Sequence, residues 1–145
     1  MAQDIGQSQS TIVLETQRPG FVDLTDRIAQ WVREIAASQG LLTLFIRHTS
    51  ASLTIQENAD PDVLRDLETA LDRFAPRDLP YRHATEGPDD MPAHIKSMLT
   101  STALQVPVDG GRMLLGTWQA VYLIEHRDAP HQRQVVMHYN GTYSS

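Results

Sequence analysis

With 145 residues, 41% of them hydrophobic, the chain has the size of one domain around one buried core. Its net charge of −6, with one lysine and scattered arginines, excludes general binding to a polyphosphate backbone but allows a local basic pocket for one small phosphate. The absence of cysteine excludes disulfides, thiolate nucleophiles and sulfur-ligated metals, so any metal must be held by nitrogen and oxygen.

Residues 1–9 are polar and glutamine-rich and read as a flexible tail ahead of a single domain over 10–145. Thr11–Thr16 is β-branched and predicts a strand, punctuated by Arg18-Pro19-Gly20. Thr25 then opens a helix whose Ile28, Trp31, Val32 and Ile35 recur at helical spacing, with Gly40 as its stop. Leu41–Thr49 is nearly continuously apolar and suits an interior strand, while Ser52–Glu57 alternates with period two. Pro61 starts a second helix on a Leu64, Leu67, Leu71, Phe74 stripe.

A proline-bearing loop over 75–89 leads to a short third helix, with Asp90 as its cap and Pro92 in its first turn. On that helix Asp90, His94, Ser97 and Ser101 share a polar stripe, beside an apolar face of Met91, Ile95, Met98 and Leu99. Such a stripe either lines a cleft or reduces to a cap paired with His94 and hydroxyls facing water. Asp109-Gly110-Gly111-Arg112 suits a hairpin turn, and Thr117–His126 and Arg133–Tyr139 read as a further hairpin. The expected fold is therefore α+β, a mostly antiparallel, sandwich-like arrangement with about three helices on one side. No apolar run reaches the roughly eighteen residues a membrane span needs, and the opening residues lack a signal-peptide pattern, so a soluble cytoplasmic protein is expected.

Three imidazoles, His48, His83 and His94, stand out beside Glu57, Asn58, Asp60, Glu86, Asp89 and Asp90. If two or three of them meet, nitrogen with carboxylate ligation suits zinc, manganese or iron, whereas carboxylates around a phosphate suit magnesium. His48-Thr49-Ser50-Ala51-Ser52 puts hydroxyls at a strand end, but no GxSxG elbow surrounds either serine. Strand alternation places Gln119 and Glu125 on the face of Val121 and Leu123, with Arg133 as the partner Glu125 requires. His126, His131 and His138 read as surface or hairpin residues.

The strings His48-Thr49-Ser50-Ala51-Ser52-Leu53, Glu57-Asn58-Ala59-Asp60-Pro61, Tyr81-Arg82-His83, Glu86-Gly87-Pro88-Asp89-Asp90-Met91-Pro92-Ala93-His94, Gly116-Thr117-Trp118-Gln119 and Glu125-His126-Arg127 closely resemble the YjbQ family, also called the secondary thiamine-phosphate synthase family. That resemblance implies a compact homotrimer with a site near subunit boundaries. It also implies a weak transferase activity that joins hydroxymethylpyrimidine diphosphate to thiazole phosphate and releases pyrophosphate. The family's motif residues fall on His48, Glu57, Asn58, His83, Asp90, His94, Gln119 and Glu125. Departure of diphosphate needs a cation, so a divalent metal (zinc or magnesium) is expected, with His48, His83 and His94 as ligands and Arg82, Lys96 and Arg112 on the phosphates. A metal-dependent hydrolase and a non-catalytic metabolite-binding trimer are the competing readings.

Overall fold

The computed structural model describes residues 4–145. In chain order they form β1 (Gly6–Thr16), β2 (Gly20–Asp23), α1 (Thr25–Glu34), β3 (Ala37–Ile46), β4 (Ala51–Glu57), α2 (Pro61–Phe74), α3 (Asp90–Leu99), β5 (Ala103–Asp109), β6 (Arg112–Met113), β7 (Gln119–Glu125) and β8 (His131–Tyr143). The strands make two sheets, β1-β8-β3-β5-β6 and β2-β7-β4, with every neighbouring pair antiparallel. The α+β class and the three helices match the sequence.

Alternation in β3 and β8 sends Leu42, Leu44, Ile46, Val135, Met137 and Tyr139 inward to meet Leu53, Val121 and Leu123 of the smaller sheet. Ile28 and Val32 of α1 join that same core from the side. β7 is buried from Ala120 to Glu125, because it is the central strand of its sheet and α2 and α3 lie toward the face turned away from the core. The turn residues Gly110 and Gly111, at φ 58 and 76, close β5 onto β6 where Asp109 faces Arg112, the two-residue hairpin that paired glycines favour.

The structure corrects several sequence expectations. Strand β1 starts at Gly6, not near Ser10, because Gln7, Ser8 and Gln9 find backbone partners in Asn140, Tyr139 and His138 of the long β8. Residues 1–3 of the expected tail lie outside the described residues. Helix α1 ends at Glu34, and Ala36 at φ 55, not Gly40, makes the left-handed turn. β7 and β8 do not form a hairpin: they belong to different sheets, and the loop between them crosses from one layer to the other.

The expected apolar face of α3 is covered only in part, with Met91 and Ile95 half-buried. Asp90 and Lys96 are buried, whereas Met98 is 80% and Leu99 53% exposed. Helical periodicity alone could not foresee this, since the polar groups turned inward find ionic partners there.

Gly40 instead serves the sheet. It lies opposite Gly141 of β8, and a Cβ built on it would stand 2.3 Å from the Asn140 carbonyl oxygen and 2.6 Å from the Gly141 Cα. Those atoms are backbone and cannot rotate aside. Gly40→Ala is expected to cost about 1–3 kcal/mol through overpacking, read as a lower midpoint in urea unfolding with an unchanged slope.

Candidate functional site

The segment leading into α3 folds back so that His83 and His94 meet over Asp90. His83 Nε2–H donates to Asp90 Oδ2 at 2.6 Å, His94 Nε2 lies 3.3 Å from the same oxygen, and the rings sit edge to face with centroids 5.6 Å apart. One turn of helix accounts for the Asp90–His94 pairing. The His83 contact is tertiary.

Asp90 is the first helical residue and not the cap, and Asp89 at the cap position makes no capping bond either. Both carboxylates are instead spent on Arg127, just beyond β7. Its Nε donates to Asp89 Oδ2 at 2.8 Å, its Nη1 to Asp90 Oδ1 at 2.9 Å and its Nη2 to the Glu86 carbonyl at 2.9 Å, while Asp128 N–H also donates to Asp89 at 2.9 Å. Burial pushes both carboxyls up, but at Asp89 the bonds from Arg127 and Asp128 outweigh it, and at Asp90 the His83 bond with the charges of His94 and Arg127 does so. Both are held below the usual carboxylate range and ionised.

His83, Asp90 and His94 offer ligand atoms that all lie within 4.8 Å of one another. Tetrahedral zinc, with bonds of about 2.0–2.1 Å, keeps its ligand atoms roughly 3.3 Å apart, which the Asp90–His94 spacing of 3.3 Å meets, whereas the 2.6 Å His83–Asp90 hydrogen bond would have to open to admit the ion. The donor set fits zinc better than magnesium, because imidazole is a poor ligand for so hard an ion. Arg127 on the free oxygen of Asp90 supplies the orienting partner that metal ligands ordinarily have. Beside the cluster lies a cavity of about 330 Å³ whose walls include Arg77, Tyr81, His83 and Met91.

His48 is not part of this cluster. It accepts a 2.8 Å hydrogen bond from Gln134 N–H on Nε2, and it lines a different pocket with Arg47, Ser50 and Arg133. Three histidines therefore do not converge within one chain. Glu125 does pair with Arg133: Oε1 receives Nε at 2.7 Å and the hydroxyl of Thr16 at 2.5 Å, and Oε2 receives Nη2 at 2.5 Å and the Arg127 N–H at 3.0 Å. Both oxygens are thus fully committed, so Glu125 organises its surroundings and cannot serve as a free base.

Glu57 and Asn58 gather with Gln119 at the other end of β4 and β7. Glu57 is the register partner of Gln119, and Ala51 that of Glu125, six residues further along. At ~3.3 Å per residue these groups stand ~20 Å from Glu125, so one chain does not place them in the same site. Glu57 Oε2 accepts from Asp60 N–H at 3.2 Å, Asn58 N–H donates to the Trp118 carbonyl at 2.9 Å, and the Gln119 side chain accepts from Gly116 N–H at 2.8 Å, all turn-making roles.

The three expected phosphate-binding cations are dispersed as well. Arg82 is exposed next to His83, Lys96 is buried against Asp72 at 2.6 Å, and Arg112 lines a separate groove with Arg33 and Gly111.

Two residues were misjudged. His126 is 3% exposed, with its Nε2 2.8 Å from Ser52 Oγ, itself fully buried and 2.5 Å from Thr100 Oγ1, which rules Ser52 out as an accessible nucleophile. Arg127, quoted in a motif but given no role, is the anchor of the site. Its signal was present in the sequence as the cation immediately beyond a strand that ends in an acid.

The fold and this histidine–aspartate centre define a class: one-domain α+β proteins with an arginine-clamped polar site at the rim of a two-sheet core. The model of the family described as UPF0047 protein YjbQ-like matches residues 10–142, and the chain belongs to that family. A UPF0047 protein of Synechocystis is 51% identical over 93% of this chain and 92% of its own. The Escherichia coli protein YjbQ is 42% identical over 92% and 97% respectively. Among solved structures, an uncharacterized conserved protein of the same family from Clostridium acetobutylicum is 39% identical, covers 88% of this chain and 97% of its own, and superposes with a TM-score of 0.80. Among the described residues, no helix is long and apolar enough to cross a membrane.

Burial, and next the Lys96 ammonium, lower the His126 pKa to about 4, while the unfolded imidazole titrates near 6.5. Between those values the unfolded chain binds the extra proton, so this contribution is complete above about pH 6.5 and is lost as pH falls toward 4. Thermal melts across that window should show stability declining with acid, and His126→Gln, which keeps a polar group near Ser52, should flatten the decline relative to wild type.

Proposed function

We propose that this protein is a divalent-metal enzyme acting on a small phosphorylated metabolite, with His83, Asp90 and His94 as the metal ligands. The observation that carries the reading is the gathering of three ligand atoms within 4.8 Å, on a carboxylate already fixed by Arg127. A metal there would supply Lewis acidity toward a phosphoryl oxygen or a reacting water. Arg127 holds Asp90 in place and ionised, and the adjoining cavity is walled by Arg77, which Asp128 already pairs through both terminal nitrogens, and by Tyr81, whose hydroxyl donates to the Pro76 carbonyl.

For the specific reaction the proposal takes the one that the resemblance implies, a thiamine-phosphate synthase-type condensation with pyrophosphate as the leaving group. The imidazole-rich donor set favours a second reading, hydrolysis at zinc, because zinc is the ion that this set suits and that most readily activates water. Elemental analysis of the untagged protein should find about one zinc per chain, lost in His83→Ala and in His94→Ala, with a lower melting temperature that zinc addition raises in wild type and not in the variants. Pyrophosphate release from the two thiamine precursors, assayed in parallel with hydrolysis of small phosphate esters, distinguishes the reactions. Undiminished metal content and turnover in both variants would refute the site.

The trimer implied by the resemblance belongs to the same proposal. On the outer face of the five-stranded sheet, Val13 and Phe45 are each 47% exposed, and Phe45 lies opposite Val136, an apolar row for which a second copy is a natural cover. Light scattering should give three times the 16.3 kDa chain mass, and Phe45→Asp should reduce it.

A further inference from the structure

The pocket around Arg133 lies apart from the histidine–aspartate centre and has its own chemistry. It measures about 490 Å³, and its polar walls are Arg47, His48, Thr49, Ser50, Thr102 and Arg133. No carboxylate lines it. Arg133 is only 3% exposed, and Glu125 together with Ser50 uses its Nε and Nη2. Among the described residues its Nη1 has no hydrogen-bond partner, yet no buried side-chain nitrogen is left unsatisfied by enclosure. The free end of this buried guanidinium therefore opens on the pocket it lines.

The neighbours are arranged as donors too. Ser50 Oγ accepts from Arg133 Nη2 at 3.0 Å, which leaves the hydroxyl proton to be given elsewhere. His48 accepts the Gln134 N–H on Nε2, which places the proton of the neutral ring on Nδ1. Burial, followed by the charge of Arg133, lowers the His48 pKa and keeps that ring neutral. Arg47 is held by Gln134 Oε1 at 3.0 Å and forms no ion pair among the described residues, so Glu125 compensates Arg133 alone and the charge of Arg47 is left over.

An open pocket rich in donors, floored by a buried guanidinium and lined by no acceptor carboxylate among the described residues, is complementary to an oxyanion. We infer that the Arg47–His48–Ser50–Arg133 pocket is a binding site for the oxyanion head group of a small ligand, a phosphoryl or carboxylate group. Arg133 supplies the fixed charge, Ser50 and His48 supply directional donors, and Glu125 holds Arg133 in position from behind. The inference stands independently of the metal reading.

Calorimetric titration of the full-length protein with inorganic phosphate and with acetate, against chloride at equal ionic strength, tests it. Binding of at least one of the two, saturable and at one site per chain, is expected, and the tighter one identifies the head group. His48→Gln puts an amide oxygen near the position of Nε2 to receive the Gln134 N–H but removes the Nδ1 donor, so it should weaken binding at least fivefold without lowering the melting temperature. Arg47→Ala should weaken it and reduce its salt dependence. A His83→Ala/His94→Ala double variant should bind as wild type does, which separates this site from the metal proposal. Absence of saturable binding by either anion, binding indifferent to both His48→Gln and Arg47→Ala, or binding abolished in the double histidine variant would overturn the assignment.

Discussion

The ion pair between Glu125 and Arg133 is the constraint on which the polar half of this molecule rests. Glu125 ends the central strand of the small sheet, Arg133 lies on the second strand of the large one, and both are almost fully buried. Two charges in such a place lose their hydration, and mutual attraction offsets that only when the remaining lone pairs are filled. Here they are filled, by Thr16 from β1 and by the backbone N–H of Arg127. Removing either partner would leave an uncompensated buried charge, at a cost of about 3–5 kcal/mol. The pair ties the layers together at the point where the chain crosses from one sheet to the other, and thereby fixes where the β7–β8 loop starts.

Much of this was legible in the sequence wherever local rules decide. The Gly110-Gly111 turn, Pro61 at the first turn of α2 and the inward Leu42, Leu44 and Ile46 follow from turn chemistry and periodicity. The Glu125–Arg133 pairing was legible too, because an acid on an apolar strand face must find a cation. What escaped was set by tertiary partners. The sheet to which β7 belongs is decided by pairing with β2 and β4, distant in sequence, so adjacency misled the hairpin assignment. On α3, periodicity cannot tell that Lys96 will find Asp72 or that Asp90 will find Arg127, and so it does not foresee that both are buried while Met98 and Leu99 are exposed.

The site itself was half legible. His83, Asp90 and His94 were recognisable because helical spacing and a short loop bring them together, and the structure confirms their meeting. Glu57, Asn58, Gln119 and His48 could be joined to them only by motif; the register of β4 and β7 sets Glu57 and Gln119 at the end away from Glu125, and His48 lines a pocket of its own.

The two polar centres nevertheless have a common support. Oε2 of Glu125 receives Nη2 of Arg133, whose other end opens on the donor-lined pocket, and also the backbone N–H of Arg127, whose side chain holds Asp89 and Asp90. A carboxylate that fixes one arginine through its side chain and the next through its backbone sets the distance between the histidine–aspartate cluster and the donor-lined pocket with few adjustable torsions between them. It also explains how so acidic a chain comes to bury Arg133 at its core edge: Glu125 and Ser50 engage its Nε and Nη2, and Nη1 is left facing the pocket.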